Sequence, residues 1–353
     1  MSLTQSAQNR IERIREKLGN ELTIVGHHYQ TEEVIRHADL RGDSLELARK
    51  TAESHSRYIM FCGVYFMAES AALLAKQGQE IHIPVPGADC SMAQMAAAED
   101  VRNTLTWFRD RGRKIVPLAY VNSTLPVKAV VGEFGGSVCT SANAKTMLEW
   151  AFAQGDAVLF LPDMNLGLNT AQTMGFAESD CQVLTAPGTP SWLHSEVENT
   201  ARLLLWPGYC SIHTFFTVDM VKNQRASHPG AKVIVHPESR PEIVAASDSA
   251  GSTSFIIRYA NELPDGETLI IGTEINLVER LARQHQGRIT ILPLAPSACS
   301  FMGETTENIL AEALEEMERC MESGGRSPYH VVAPENLKDY AKAALDRMLK
   351  ACA

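Results

Sequence analysis

The chain has 353 residues, of which 45% are hydrophobic and 21% charged, and its formal net charge is −10. That length accommodates two or three compact domains, and the composition is that of an ordinary globular protein. The acidic balance excludes a general basic face, so we expect neither nucleic acid nor an anionic membrane as a partner. The N-terminus lacks the apolar core of a signal peptide, and no apolar run predicts a membrane span. We therefore expect a cytoplasmic protein.

The N-terminal segment is predicted to be an amphipathic helix, with Ile11, Ile14 and Leu18 on one face and Asn20 near its end. A unit then begins that occurs three times. In each copy an apolar strand ends in polar residues, a helix opens at a serine, and a further strand and helix follow. Each copy closes with a short apolar strand, a proline-containing turn and a cysteine.

The spacing within the copies is similar. The first strands span residues 21–26, 114–119 and 231–235, the next strands span 58–63, 157–162 and 269–272, and the closing cysteines are Cys90, Cys210 and Cys299. From the polar residue that ends the first strand to the helix-opening serine the separations are 17, 19 and 16 residues. From the next strand to the cysteine they are 27, 48 and 27 residues, which predicts an insertion near residues 171–198.

Alternating apolar strands and helices indicate parallel sheets that are covered on both faces. Three copies predict an α/β protein of three αβα domains with small parallel sheets, related by pseudo-threefold symmetry, with the active site at their common centre. We expect domains over 1–110 with the N-terminal helix, 111–212 with the insertion and 213–304, followed by C-terminal helices over 305–353 that pack back on the body. Three separate beads are disfavoured, because no Pro/Gly/Ser-rich spacer separates the copies.

In parallel sheets, ligands bind beyond the carboxyl ends of the strands. This rule assigns to one centre the three cysteines and the polar residues that follow the first strands, namely His27, Tyr29, Tyr120, Asn122, His236 and Glu238. We also predict helix caps at Ser44, Ser141, Ser252 and Thr253. Free N–H groups at such helix ends bind phosphate or carboxylate. A single capping residue is explained as well by stabilisation of its helix as by anion binding. The matched positions of the caps in the three copies favour an anionic substrate.

The eight cysteines include no Cys-x-x-Cys pair, which argues against a disulfide framework, a zinc ribbon and a thioredoxin-type motif. We expect five of them to be buried small hydrophobes, namely Cys62, Cys139, Cys181, Cys320 and Cys352. The matched three favour a metal centre, either zinc or a [4Fe–4S] cluster whose open iron acts as a Lewis acid. Glu238 and the tyrosines would then transfer protons, and His213 would contact the ligand or support the centre.

Motifs in every third of the chain carry a family resemblance. They are His27-x-Tyr29, Gly42-Asp43-Ser44-Leu45-Glu46-Leu47, Tyr120-Val121-Asn122, Cys139-Thr140-Ser141-Ala142-Asn143-Ala144, Trp206-Pro207-Gly208-Tyr209-Cys210-x-x-His213, His236-Pro237-Glu238, Gly251-Ser252-Thr253-Ser254 and Cys299-x-x-Met302. Together they resemble the quinolinate synthase family over residues 20–315. Each motif is weak alone, but the set is specific.

The resemblance implies a transferase that condenses iminoaspartate with dihydroxyacetone phosphate to quinolinate, phosphate and water, in de novo NAD biosynthesis. It also implies a [4Fe–4S] cluster, one per chain, held by Cys90, Cys210 and Cys299, with the fourth iron binding substrate. The reacting centre would be lined by Glu238, Tyr29, Tyr120 and Asn122, and Glu238 would be the general acid and base. Substrate binding would fall to His27, Ser44, Tyr120, Asn122, Ser141, His213, His236, Glu238, Ser252 and Thr253. The implied functional partner is an aspartate oxidase or dehydrogenase that supplies iminoaspartate.

Three features depart from the family pattern: His28, Ser211 and an insertion at 132–136 shortly before Ser141. Two alternatives stay open. One is an iron–sulfur or zinc hydro-lyase that acts on another small anionic substrate. The other is a non-catalytic iron–sulfur sensor or electron carrier. A carrier usually has a fourth thiolate and a sensor a basic DNA-binding element, and the sequence provides neither.

Overall fold

The structure, a computed structural model, describes residues 6–194 and 200–352, apart from the side chains of Leu45 and Ala48. Residue contacts divide the chain into two compact units. Unit 1 consists of Met1–Cys90 and Ala298–Ala333, and unit 2 of Ser91–Ser297 and Pro334–Ala353. Among the described residues, no helix is long and apolar enough to cross a bilayer.

Each copy of the repeated unit forms its own sheet. The first sheet contains β1 (Leu22–His27), β2 (Leu40–Gly42), β3 (Tyr58–Cys62) and β4 (Glu80–His82). The second contains β5 (Ile115–Tyr120), β6 (Ser137–Cys139), β7 (Ala157–Leu161), β8 (Cys181–Val183) and β9 (Leu203–Leu205). The third contains β10 (Lys232–Val235), β11 (Ser249–Ala250), β12 (Thr268–Gly272) and β13 (Thr290–Pro293).

The three sheets share one topology. Their strand orders are β2-β1-β3-β4, β6-β5-β7-β9 and β11-β10-β12-β13, with every neighbouring pair parallel. The second sheet adds β8 beside β9, and the first adds β14 (His330–Val331), antiparallel to β4. These sheets confirm the predicted α/β class with small parallel sheets. Three domains around a common centre stay a prediction.

Helices connect the strands. In unit 1 they are α1 (Ala7–Leu18), α2 (Glu32–Ile35), α3 (Ser44–Glu53) and α4 (Tyr65–Leu74). Unit 2 contains α5 (Ala98–Asp110), α6 (Leu125–Glu133), α7 (Ala144–Phe152), α8 (Met164–Thr173), α9 (Pro190–Leu193), α10 (Ser211–Thr214), α11 (Val218–Ser227), α12 (Pro241–Ala246), α13 (Thr253–Glu262) and α14 (Ile275–Gln284). Then come α15 (Ser300–Gly303) and α16 (Glu307–Ser323) of unit 1 and α17 (Glu335–Ala351) of unit 2.

The N-terminal helix α1 has the predicted amphipathic character. Ser6 caps it by accepting from Asn9 N, and the chain leaves it at Gly19, whose φ is 49°. Ile11 and Ile14 are fully buried in an apolar cluster that also contains Leu310 and Leu314 of α16. This face stabilises unit 1 because apolar area removed from water contributes about 25 cal/mol per Å².

The middle copy contains the predicted insertion. Between β7 and β9 it adds β8 and α9 to the expected helix, although residues 195–198 of the predicted 171–198 segment lie outside the described residues. Trp192 of α9 packs on Trp107 of α5 with ring centroids 4.9 Å apart, and the Trp107 indole N–H donates to Leu193 O at 3.0 Å. The other expected insertion, 132–136, forms the carboxyl end of α6 and its following turn.

None of the eight cysteines forms a disulfide. Cys62 and Cys139 are buried as expected, and burial raises the pKa of the Cys62 thiol to about 12. The same expectation is wrong for Cys181, Cys320 and Cys352, which are only half-buried. These three lie on an edge strand, on the outer part of α16 and just after α17, where few elements cover them.

Candidate active site

One backbone hydrogen bond recurs just before each matched cysteine. The first residue of the helix after the third strand donates its N–H to the carbonyl two residues before the cysteine. The pairs are Tyr65 to Ala88 at 2.7 Å, Met164 to Gly208 at 2.9 Å and Ile275 to Ser297 at 2.9 Å. The matched spacing of Cys90, Cys210 and Cys299 therefore reflects equivalent positions in the three sheets.

The loop that carries Cys210 is held tightly against the end of β7. Gly208 N donates to Pro162 O at 3.0 Å, and a Cβ on Gly208 would lie 2.5 Å from that oxygen. Cys210 then takes the N-cap position of α10, and its own N–H donates to Asp163 Oδ2 at 3.2 Å. The thiol is thereby held at the carboxyl edge of the second sheet, where the sequence predicted a site.

Glu238 lies next to Cys210 in unit 2 and is only 3% exposed. The Tyr120 hydroxyl donates to Glu238 Oε1 at 2.6 Å, and the Cys210 thiol also hydrogen-bonds the carboxylate. Burial raises the pKa of Glu238 to about 7, while the two hydrogen bonds act in the opposite direction. A carboxyl group with such a pKa exchanges protons close to neutral pH.

Two stacked histidines cover the same carboxylate. The rings of His213 and His236 lie 4.3 Å apart with an interplanar angle of 17°. His213 Nε2 is 3.8 Å from Glu238 Oε2, and His236 Nδ1 is 3.6 Å from Oε1. Burial lowers the pKa of His213 to about 3, so this ring is neutral at physiological pH.

A second buried carboxyl group, Asp163, belongs to the same site, although the sequence analysis did not select it. Asp163 follows β7 and is fully buried. Burial and the neighbouring Glu238 raise its pKa, whereas the backbone N–H groups of Leu166 and Cys210 act to lower it. Its position after an apolar strand is the same signal that selected His27, Tyr120 and His236, and it could have been found by that rule.

Unit 1 brings together a different subset of the predicted residues. His27 ends β1 and is 5% exposed, and its ring meets Tyr29 edge-on at 4.7 Å. Gln30 is fully buried, and its amide lies 3.6 Å from the sulfur of Met302 in α15. Cys299 caps α15, so the cysteine loop and the His27 turn are both anchored within this unit.

Three of the four predicted helix caps are wrong, those at Ser44, Ser141 and Thr253. Asp43, not Ser44, caps α3, because its carboxylate accepts from Glu46 N at 3.0 Å and Ser44 is already the first helical residue. Ser141 lies in a turn, and α7 begins at Ala144 because the Asn143 side chain accepts from Thr140 N and delays the helix. Ser252 does cap α13 by accepting from Phe255 N at 3.3 Å, and Thr253 is its first residue.

Polar atoms near the carboxyl end of β5 are available to a ligand. Asn122 Oδ1 and Ser123 Oγ, both buried atoms, have no hydrogen-bond partner among the residues that the structure describes. Asn165 Nδ2 at the start of α8 is likewise buried and has no hydrogen-bond partner among the described residues. Because buried polar groups are nearly always satisfied, such atoms indicate that a ligand or water completes this region.

The residues at the centre of unit 2 also fit a metal. Cys210, His213 and Glu238 each offer a ligand atom, and these atoms lie within 4.8 Å of one another. Sulfur, imidazole nitrogen and carboxylate oxygen form a donor set that suits zinc or iron. Cys90 and Cys299 of unit 1 form no disulfide and are partly exposed, as accessible metal-ligating thiols must be.

Comparison with known proteins assigns a family. The NadA family, described as quinolinate synthetase A protein, matches residues 9–350. The chain is 44% identical over 347 residues to a quinolinate synthase of Corynebacterium glutamicum, covering 96% of this chain and 86% of the relative. It is 41% identical over 342 residues to a quinolinate synthase of Streptomyces coelicolor, covering 95% and 86%. A quinolinate synthase of Acidobacterium capsulatum is 40% identical over 351 residues, covering 98% and 93%. The chain belongs to the quinolinate synthetase A family.

Proposed function

We propose that this protein is a quinolinate synthase that condenses iminoaspartate with dihydroxyacetone phosphate to quinolinate, phosphate and water, in NAD biosynthesis. The observation that carries the proposal is the buried group of Tyr120, Cys210, His213, His236 and Glu238 in unit 2 of a chain that belongs to this family. A thiol, a neutral imidazole and a carboxyl group with a pKa near neutrality form a site for metal-assisted acid–base chemistry.

We further propose that Cys90, Cys210 and Cys299 hold a [4Fe–4S] cluster. Their equivalent loops and their partly exposed thiols, none of them in a disulfide, support this assignment, whereas Cys62 and Cys139 are buried. When bound, the cluster would supply a Lewis acid at the iron that no cysteine ligates. The chain's own contribution is to present three thiols from three matched loops.

Glu238 is proposed as the acid–base residue. The condensation requires a proton to leave a carbon next to the imine, and the dehydration requires a proton to reach a departing hydroxyl. Glu238 Oε1 can accept and return such protons because burial raises the pKa of Glu238 to about 7. Tyr120 orients this oxygen through its 2.6 Å hydrogen bond. Tyr29 and Asn122 are proposed as further catalytic residues, as the family resemblance implies.

The anionic groups of the two substrates would be bound by histidines and by groups at helix ends. The amino terminus of α13 supports this role, because Ser252 and Thr253 lie where backbone N–H groups and the helix dipole favour phosphate or carboxylate. Asn122 Oδ1 supports it as a buried acceptor that a substrate hydroxyl can satisfy. The proposed binding residues are His27, Ser44, Tyr120, Asn122, Ser141, His213, His236, Glu238, Ser252 and Thr253.

A second candidate is a zinc hydro-lyase that acts on another small anionic substrate. The observation in its favour is that Cys210, His213 and Glu238 alone place three ligand atoms within 4.8 Å of one another, without Cys90 or Cys299. A catalytic zinc site has three protein ligands and one open position. Metal analysis separates the two candidates, since only the cluster contains inorganic sulfide.

The test is anaerobic purification with iron and sulfide quantified beside a quinolinate-formation assay. Wild type should carry about four irons and about four sulfides per chain. Cys90→Ala, Cys210→Ala and Cys299→Ala should each lose cluster and activity. Glu238→Gln should keep the cluster and lose activity by about 100-fold or more, because it cannot exchange the proton.

Cys181→Ala is the matched control, since Cys181 is a half-buried thiol on edge strand β8 and should leave iron, sulfide and activity unchanged. Zinc without sulfide in wild type would favour the second candidate. Full iron and sulfide in any of the three ligand variants would remove that cysteine from the ligand set. A loaded wild type that forms no quinolinate from both substrates would refute the proposed reaction.

A further inference from the structure

Helix α8 contacts both loops that carry the reactive groups of unit 2. At its N-cap, Asp163 reaches the Cys210 loop, and in its second turn Asn169 reaches the Glu238 loop. The two loops follow different sheets, β9 in the second and β10 in the third. A single rigid element therefore touches the proposed metal ligand's loop and the proposed acid–base residue's loop.

Both carboxylate oxygens of Asp163 accept backbone N–H groups from different segments. Oδ1 accepts from Leu166 N at 2.8 Å, which caps α8, and Oδ2 accepts from Cys210 N at 3.2 Å. The backbone of Asp163 also forms a parallel bridge with Gly208. The side chain is fully buried, so water does not compete for these bonds.

Asn169 holds the other loop by the two carbonyls that flank Glu238. Its Nδ2 donates to Pro237 O at 2.8 Å and to Ser239 O at 2.7 Å, and the side chain is 4% exposed. One amide group thus uses both of its hydrogens on the residues either side of Glu238. The direction of the Glu238 side chain depends on this short stretch of backbone.

We propose that Asp163 and Asn169 are positioning residues, which use α8 as a spacer to set the Cys210 thiol against the Glu238 carboxyl group. The six steps along the chain from Asp163 to Asn169 span about 9 Å of rigid helix at 1.5 Å per residue. Catalysis depends on sub-ångström placement of reacting groups, so a spacer of this kind acts on rate more than on binding. Its catalytic meaning rests on the proposed function, whereas the placement of the loops can be measured without it.

Asp163→Asn isolates the contact with Cys210. Asparagine caps helices as well as aspartate does, so its oxygen keeps the Leu166 N–H. Its NH₂ group then faces the Cys210 N–H, donor against donor, and the hydrogen bond is lost. We expect amide hydrogen exchange in the 207–214 segment to accelerate about tenfold, as expected for one lost buried hydrogen bond. The anaerobically purified variant should also hold less iron per chain than wild type.

Asn169→Leu isolates the contact with the Glu238 loop. Leucine keeps the volume and removes both N–H donors, which leaves the carbonyls of Pro237 and Ser239 unsatisfied. We expect faster exchange in the 236–240 segment, a normal iron content and a kcat lowered about tenfold or more, with a smaller change in KM, because Glu238 is displaced from its reacting position.

Thr170→Val is the matched control. Thr170 is 8% exposed, and its hydroxyl donates to Leu166 O at 2.6 Å within α8, so the substitution removes a buried hydrogen bond of the same helix. It should leave exchange in both segments, iron content and kcat at wild-type values. If Thr170→Val reproduced the effects of the other two variants, general weakening of α8 would replace the positioning role.

Asp163→Ser is a second test of the same contact in case Asp163→Asn does not fold. Serine still caps the helix but is too short to reach the Cys210 N–H. Wild-type exchange at 207–214 in both Asp163 variants, or wild-type kcat in Asn169→Leu, would overturn the proposal. If the wild-type enzyme formed no quinolinate, the proposed function would fail, and the exchange comparison on the same samples would still decide whether α8 positions the two loops.

Discussion

The turn after β1 and the turn after β10 contain the same two hydrogen bonds. Tyr29 N donates to His27 Nδ1 at 3.1 Å, and Glu238 N donates to His236 Nδ1 at 3.4 Å. In both turns the next residue donates its N–H to the histidine carbonyl, at 3.0 and 2.9 Å. A neutral imidazole that accepts at Nδ1 carries its proton on Nε2. Both histidine rings are therefore held by the same pair of contacts within their own turns.

His82, in contrast to His27 and His236, is buried inside the first sheet, in β4. It is 1% exposed and stacks on His330 at 5.2 Å, with Tyr58 beside it and Glu80 Oε2 3.7 Å from its Nε2. Neither of its ring nitrogens has a hydrogen-bond partner within the part of the chain that the structure describes. Burial, aided by His330, lowers the pKa of His82 to about 3.

This shift predicts acid lability. An unfolded histidine binds its proton near pH 6.5 and the folded one only near pH 3, so the unfolded state gains protons as the pH falls between these values. The group then removes about 1.4 kcal/mol of unfolding free energy per pH unit below about pH 6.5. We expect His82→Leu to show a smaller loss of Tm than wild type between about pH 7.5 and about pH 5.5.

His228→Gln is the control, because His228 is a partly exposed residue at the carboxyl end of α11 and should leave the pH dependence of Tm at the wild-type value. An identical fall in Tm for wild type and His82→Leu would contradict the assignment of this lability to His82.

At the scale of elements, the close contact between α6 and α17 depends on a glycine. A Cβ on Gly132 would lie 1.9 Å from Tyr340 O, far inside van der Waals contact. Two further bonds tie α17 to the turn after α6 and to the start of β6, from Arg347 to Gly136 O at 2.6 Å and from Ser137 Oγ to Ala344 O at 3.1 Å. The backbone carbonyl of Tyr340 cannot move aside without breaking the helix.

We therefore expect Gly132→Ala to destabilise the chain by about 1–3 kcal/mol, the usual cost of overpacking, and to lower the first thermal transition. Gly87→Ala is the control, since a Cβ there meets no atom within 4 Å, and it should shift the transition very little. Equal transition temperatures for the two variants would show that α17 can shift without cost.

The sequence predicted the long elements and missed the short ones, for physical reasons. Strands β3 and β7 are buried along their whole length, so they appear as apolar runs. Strands β2, β6 and β11 have only two or three residues and show no period that could be recognised. The caps failed where a neighbouring Asp or Asn competed with a serine, since all these side chains accept backbone N–H groups.

For the site, the rule that ligands bind beyond strand carboxyl ends selected Tyr120, Cys210, His236 and Glu238, which the structure does bring together. Asn169 could not be found in this way, because it lies in the second turn of α8 and acts through tertiary hydrogen bonds. Helix periodicity predicts which face is buried but not which backbone carbonyls that face meets.

At the scale of the whole molecule, the repetition extends from topology to ion pairs. In the first copy Arg15 pairs with Asp39, whose carboxylate accepts from Ile24 N of β1 at 2.8 Å. In the third copy Arg225 pairs with Asp248, whose carboxylate accepts from Val233 N of β10 at 2.7 Å. The equivalent position of β5, by its register with β7, is Pro117, which has no N–H to donate. The middle copy has therefore diverged furthest, as its insertion also indicates.

The same divergence appears at the cysteine loops and gives a last prediction. In each copy the helix after the third strand donates a backbone N–H to a carbonyl two residues before the cysteine. That carbonyl belongs to Ala88, Gly208 and Ser297 in the three copies. Only the middle one lacks a Cβ, and there a Cβ would lie 2.5 Å from Pro162 O. Gly208→Ala should therefore push the Cys210 loop away from β7 and lower iron content and quinolinate formation about tenfold or more, because metal-binding geometry tolerates little displacement.

Ala88→Gly is the matched change at the equivalent position of the first copy. It adds no atom, and it costs backbone entropy and the burial of one methyl group, together about 1–2 kcal/mol, so iron content and activity should stay near wild type. Iron and activity measured side by side in the two variants decide the point. If Gly208→Ala loaded its cluster as well as Ala88→Gly, the middle loop would have the same freedom as the others. The close approach of Gly208 to Pro162 would then not determine the placement of Cys210.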